Sequence, residues 1–416
     1  MTMRCSRRGL LKGGALVAAG SFMPAFARRA LAAQEVVAPR RKTLVFLFLR
    51  GALDGLHAVT PVDDPRFQQL RPQLALRPAD LLDLGLPGFK LHPSLAGLLP
   101  LWKAGSLAFV HAVGSPDPTR SHFDAQDYLE LGTPGVKGTS DGWLARALGE
   151  TEIEEPGPLD AVAVSPRLPR ALQGADDALA FASLDQLRLH PLAGAPRGQK
   201  GRDQARAVFE GLYGALPDDE AVATSGRQAF AALDLLEKKL SSAAAKSTVE
   251  YPNGPIANSL KPLAQLIKGD VGLRVGCADA GGWDTHVAQA GTLNGNLKQL
   301  GDSLAAFMLD LGPRAEDVVL VAATEFGRTA RQNGTGGTDH GHASVALVLG
   351  GGVQGGRIHG AFPGLRDDQL YEGRDLAVTT DLRSVLAAAA AAQLDATDLA
   401  ELFPGFSGEP LAGLFT

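Results

Sequence analysis

A chain of 416 residues, 45% of them hydrophobic, is long enough to bury a large core as one big domain or as one domain with an inserted subdomain. Its 45 acidic residues outnumber its 40 basic ones, which disfavours nucleic acid or an anionic membrane as the main partner. Of its two cysteines, Cys5 falls in the leader described next and Cys277 stands alone in an apolar stretch, so the remaining chain can close no internal disulfide.

Residues 1–32 carry the marks of a signal peptide. A basic start up to Lys12 precedes the apolar run Gly13 to Ala27, and Ala30-Leu31-Ala32 supplies the small residues of a cleavage site. Ser6-Arg7-Arg8-Gly9-Leu10-Leu11-Lys12 resembles the twin-arginine consensus, so export through the twin-arginine machinery to the periplasm or beyond is expected. The apolar run is shorter than the roughly 20 residues that span a bilayer. Six of the basic residues and none of the acidic ones lie in this leader, so the rest of the chain has a formal charge of −11.

Residues 33–42 read as a linker of Pro and Arg character, and 43–416 as a single α/β domain. Thr43 to Leu49 is a continuous β-branched and aromatic run, the pattern of a central strand buried on both faces. Helical spacing follows over Leu95 to Lys103, then a strand over Ser106 to His111 and a helix over Ser121 to Leu131 with Ser121 as its cap. Ala161 to Ser165 is a further strand. From about 176 to 268 the chain is rich in helix formers, clearest over Arg202–Leu212 and Arg227–Ala245, and reads as a helical insertion covering the sheet. Strands return at Val271–Ala278, Val318–Thr324 and Ala343–Leu349, with a helix over Gln289 to Leu311 between the first two and an Ala-rich helix over Leu382 to Leu394 at the end. This alternation predicts a three-layer α/β/α sandwich around a mostly parallel sheet.

Ligand-capable residues cluster where strands end. Arg50 and Asp54 follow the first strand, and Arg120, Ser121 and His122 precede the first long helix. Asp284 and His286 follow one later strand, Glu325 and Arg328 another, and Asp339, His340 and His342 precede the last. In an open parallel sheet such loops share one edge. Asp284 and His286, two apart, point the same way in extended backbone, as do His340 and His342 with Asp339 beside them. Carboxylate plus imidazole suits a divalent ion such as Zn, Mn or Fe. Ser121 is either a helix cap or a nucleophile at a helix start, where Arg120 could hold an oxyanion, and Arg50 and Arg328 either bind phosphate, sulfate or carboxylate or form surface salt bridges.

Five segments in order, Arg50 to Leu56, Ser121 to Asp127, Gly282 to His286, Thr324 to Thr329 and Gly337 to His340, resemble an exported family known as domain of unknown function 1501. That family in turn resembles a divergent branch of the alkaline phosphatase and sulfatase superfamily. The resemblance implies an alkaline-phosphatase-like fold with Ser121 at the nucleophile position and a metal-binding set drawn from Asp284, His286, His340 and His342, with Asp339, Asp54 and Glu325 as further candidates. The chain departs from the superfamily pattern in placing Arg50 where a metal-binding Asp usually ends the first strand, and Glu325-Phe326 where Asp-His is usual. Two functions are therefore expected in competition. One is a metal-assisted hydrolase or transferase of small-molecule or glycan phosphate or sulfate esters, with Ser121, Arg120 and Arg328 catalytic. The other is a non-catalytic periplasmic binding protein with a degenerate phosphatase-like pocket.

Overall fold

The computed structural model describes residues 41–151, 157–187, 191, 195–215, 221–242 and 245–416, so the expected leader and nearly all of the linker lie outside them. Twelve strands are described: β1 (Thr43–Leu49), β2 (Val59–Pro61), β3 (Leu82–Asp83), β4 (Phe89–Leu91), β5 (Leu107–Gly114), β6 (Ala161–Val164), β7 (Ala178–Phe181), β8 (Val275–Ala280), β9 (Val318–Ala323), β10 (Ser344–Gly350), β11 (Ile358–His359) and β12 (Thr380–Asp381). The main sheet runs β11-β5-β10-β9-β1-β8-β6-β7, with β12 also on β5, while β2, β4 and β3 make a small separate sheet. β1 pairs in parallel with β8 and β9, β6 in parallel with β8 and β7, and β10 lies antiparallel to both β9 and β5.

β1 sits at the centre because every one of its residues is buried. Val45, Leu47 and Leu49 face one apolar layer, and Leu44, Phe46 and Phe48 the other. The first layer is closed by helices Pro255–Lys268 and Gln289–Leu311, whose Leu293, Leu297, Leu300, Leu304 and Phe307 recur at helical spacing against the sheet. The second is closed by Trp143–Gly149 and by Leu382–Leu394, whose alanines let the helix approach the strands closely. The architecture is thus α/β with three layers.

Two features differ from expectation. β7, within the stretch read as helical, adds an edge strand to the sheet before the helices Gln199–Gly214 and Ala221–Leu240. The strand expected over Val271–Ala278 instead spans Val275–Ala280, because Asp270 and Gly272 take left-handed backbone conformations that a strand cannot contain.

The reversed direction of β10 positions the site. β1, β5, β8 and β9 all end at one edge of the sheet, and an antiparallel β10 begins there. The loop entering β10, with Asp339, His340 and His342, therefore meets the loops leaving the others. No helix among the described residues is long and apolar enough to cross a membrane.

Candidate metal centre

Four side chains from three of these loops converge. Asp284 and His286 follow β8, His122 opens the helix His122–Leu131 after β5, and His340 precedes β10. The Asp284 Oδ1 lies 2.9 Å from His286 Nε2 and 3.1 Å from His340 Nε2, and its Oδ2 lies 3.5 Å from His122 Nε2. The His340 Nε2 is in turn 3.0 Å from His122 Nε2 and 2.9 Å from His286 Nε2. Ligand atoms of His122, Asp284 and His340 all fall within 4.8 Å of one another, so this triad can hold a metal ion, with His286 adjoining it.

The opposite ring nitrogens decide what the inner ones can be. His122 Nδ1 is 2.7 Å from Glu325 Oε1, His286 Nδ1 is 2.9 Å from Asp339 Oδ1, and His340 Nδ1 is 2.8 Å from the Arg120 carbonyl. A carbonyl only accepts, so His340 Nδ1 carries a proton. Burial raises the Glu325 carboxyl, but hydrogen bonds from His122 and Gln126 outweigh it and hold the group below its ordinary range. Hydrogen bonds from His286 and Asn333 lower Asp339 in the same way. Both carboxylates are then ionised near neutral pH, and the Nδ1 atoms facing them donate. In the neutral rings every Nε2 is consequently a bare lone pair.

In that state three imidazole nitrogens and a carboxylate oxygen face one another at hydrogen-bond distance, an arrangement that a cation at its centre would satisfy. Tetrahedral ions bound at ~2.0–2.1 Å set their ligands roughly 3.3 Å apart, which lies within the 2.9 to 3.5 Å spread of these contacts. Imidazoles whose outer N–H groups are tied to carboxylates or carbonyls are also the usual form of histidine ligands. The donor set fits a divalent ion.

The surroundings shift these groups in different directions. Burial pushes the Asp284 carboxyl upward, but the Arg328 hydrogen bond and charge, with His286 and His340, bring it down to about 2. The Glu325 hydrogen bond raises the His122 imidazole above its ordinary value, while burial lowers His340.

Local sequence makes this convergence sterically feasible. Gly51, directly after β1, has φ 115°, and a Cβ there would lie 2.8 Å from the backbone nitrogen of Asp284. A Cβ on Gly337 would lie 2.2 Å from the carbonyl oxygen of His286. Either substitution would push a ligand loop out of place.

The other candidates occupy different places. Glu325 is held from behind: its two oxygens accept from His122, Gln126, the backbone of Gly51 and Ala52, and Thr324. It orients a ligand and has no lone pair left for an ion. Asp339 orients His286 in the same fashion. Asp54 lies outside the cluster, fully buried in an ion pair with Arg71 at 2.7 Å, and it also accepts from Gln289 and from the His57 backbone. His342 stacks on Tyr371 with ring centroids 4.4 Å apart.

Arg328 is buried, with Nη1 2.7 Å from Asp284 and Nε and Nη2 on Thr338, so it fixes the Asp284 ligand. Arg120 spends its guanidinium on Glu372 and Asp375. Ser121 caps the helix, its hydroxyl accepting from Asp124 at a long 3.4 Å, and both its neighbours touch the cluster. His122 was not among the expected ligands. Its place directly after the candidate nucleophile, in a loop already marked as chemical, was the available signal.

No curated protein matches the chain. Among solved structures, a protein in the alkaline phosphatase superfamily from Vibrio parahaemolyticus, determined to 1.95 Å, is similar at 12% identity over 81% of this chain and 71% of that one, with a TM-score of 0.34. The sequence model of the family described as Protein of unknown function (DUF1501) matches residues 110–403, a span that holds the whole cluster from His122 to His340, and the chain belongs to that family.

Proposed function

We propose that this protein is an exported, metal-dependent hydrolase or transferase of phosphate or sulfate esters. The observation that carries the reading is the meeting of the His122, His286 and His340 Nε2 atoms with Asp284 while every outer Nδ1 is committed as a donor. Zn²⁺ or Mn²⁺ held by His122, Asp284, His340 and His286 would supply Lewis acidity toward a substrate oxygen. The four side chains are partly open to solvent, so the centre can be reached from outside.

The chain's own residues divide the remaining work. Arg328 holds Asp284 in place, and Glu325 and Asp339 hold His122 and His286. The hydroxyl of Ser121, between two residues that touch the cluster, is the candidate attacking group. Twin-arginine export, carried by the leader motif, would deliver the folded protein to the periplasm or beyond.

A second reading keeps the metal and drops the chemistry. It is favoured by the ion pairs of both Arg120 and Arg328 with carboxylates, which already offset the charge of each guanidinium. Turnover of aryl phosphates, phosphodiesters and aryl sulfates separates the two. The enzyme reading predicts turnover that a chelator abolishes and that Ser121→Ala lowers at least 100-fold, the scale on which loss of a nucleophile acts. Metal-loaded protein with no turnover on any ester would leave a binding protein.

A further inference from the structure

We infer that Asp375 is the positioning residue of His340, acting on it through Arg120 and Arg374. The inference rests on the metal-centre reading above. His340 is the imidazole whose Nε2 touches all three of the other ligands: His286 at 2.9 Å, His122 at 3.0 Å and Asp284 at 3.1 Å. Whatever fixes this ring therefore fixes the spacing of the whole set.

Two arginines hold His340, one at the ring and one at the backbone. The Arg120 carbonyl accepts from His340 Nδ1 at 2.8 Å, and Arg374 Nη2 donates to the His340 carbonyl at 3.0 Å. Both guanidinium groups end on one carboxylate oxygen. Asp375 Oδ2 accepts from Arg120 Nε at 3.1 Å and Nη2 at 2.7 Å, and from Arg374 Nη1 at 3.0 Å.

Burial identifies the anchor among these three. The Asp375 side chain is 0% exposed, whereas those of Arg120 and Arg374 are 30% and 40% exposed. The Asp375 backbone is fixed as well. It exchanges two hydrogen bonds with Tyr371 and bridges to Thr329, whose N–H donates to the carbonyl of Asp339, the residue before His340. A carboxylate that served only to close its own turn would not require two cations that both reach the same histidine. Without it, two guanidinium groups with access to solvent lose their common partner and turn to water. The Arg120 carbonyl is then no longer held opposite His340 Nδ1, and the ring loses the bond that sets its tautomer and direction.

The carboxylate also offers a graded test. Asp375 Oδ1 is buried and makes no hydrogen bond among the described residues. In Asp375→Asn the amide oxygen can therefore take the place of Oδ2 and keep the three bonds without the charge, whereas Asp375→Ala keeps none. Arg374→Met, at a partly exposed position, removes only the arm on the His340 carbonyl and supplies a folded variant if the buried site does not tolerate alanine.

Three quantities are measured on the full chain: unfolding of the metal-free protein, zinc affinity by competition with a chelating dye, and the visible spectrum of the cobalt-loaded protein. Asp375→Ala should bind zinc about 10–100-fold more weakly, the scale on which loss of a histidine ligand's outer partner acts. Asp375→Asn should fall between it and the wild type, and Arg374→Met should weaken binding in the same direction. The cobalt bands, which follow ligand geometry, should shift in Asp375→Ala. A residue that serves the fold alone would lower the unfolding midpoint of the metal-free variants without moving either metal readout. Zinc affinity and cobalt spectrum unchanged in every variant that folds would thus overturn the inference while leaving the metal centre standing. A wild type that holds neither zinc nor cobalt would instead remove the centre itself, and this inference with it.

Discussion

Each histidine of the centre is defined by two partners, one for each ring nitrogen, and the outer partner determines what the inner nitrogen can do. For His122 that partner is Glu325, buried and locked by the backbone amides of Gly51 and Ala52 and by the Thr324 hydroxyl. Glu325→Gln replaces one acceptor oxygen by an amide that donates, so the side chain can no longer serve all of these donors. Loss of such an outer partner typically costs 10–100-fold in metal affinity. Competition with a chelating dye should show a weakening of about that size in E325Q, and an unchanged affinity would mean that His122 is oriented without Glu325. At this scale the sequence spoke unevenly. Asp284, His286 and His340 could be nominated from Asp-x-His spacing and loop position, whereas the difference between a ligand and its support, as for Asp339 and Glu325, depends on which oxygen faces which nitrogen. Asp54 shows the same limit: a carboxylate just past a central strand looks like a ligand until Arg71, seventeen residues later, is seen to neutralise it.

Among the elements, those whose pattern is set locally were legible to the residue. β1 and the helices Gln289–Leu311 and Leu382–Leu394 begin and end where apolar periodicity and the Asp381 cap place them. The direction of β10 was not legible, because an apolar run reads the same whichever way its neighbours point. β7 was hidden for a related reason: four residues at a sheet edge, three of them only half-buried or exposed, carry too little pattern to stand out from helix formers. β5 yields a prediction of its own. It carries His111 in the core, with Nε2 on the Val59 carbonyl and Nδ1 accepting from Ala112. Burial pushes this imidazole down to about 4, despite the raising effect of the Val59 bond, and burial does the same to His57 and His92. With the folded value below the unfolded ~6.5, the stability these neutral rings contribute is whole above pH ~6.5 and is lost as pH falls toward 4. Each ring then lowers stability by about 1.4 kcal/mol per pH unit across that window. Urea midpoints measured from pH 7 to pH 4.5 should fall accordingly, and His111→Gln should flatten the slope by about one proton. A slope identical to that of the wild type would show that His111 is protonated in the folded state.

At the scale of the whole molecule, a three-layer sandwich buries its apolar residues on both faces of one sheet and leaves the loops at one edge to carry chemistry. Gly51 and Gly337 let those loops approach more closely than any side chain would permit, and Arg328 fills the space behind Asp284 with a compensating charge. Such an edge gathers donors from segments as distant as residues 122 and 340 without distorting the core that supports them. A metal ion bound there would also stabilise the fold, since an ion that prefers the folded state shifts the unfolding equilibrium by mass action. The measurement that bears most directly on the account is the metal content of the purified protein after saturation with Zn²⁺ or Mn²⁺ and exchange into metal-free buffer, set beside an Asp284→Asn, His340→Ala double variant treated identically. Close to one ion per wild-type chain, falling to a small fraction in the variant, is the result expected. A wild type that retains no more metal than the variant would contradict the assignment of the converging histidines as a metal centre.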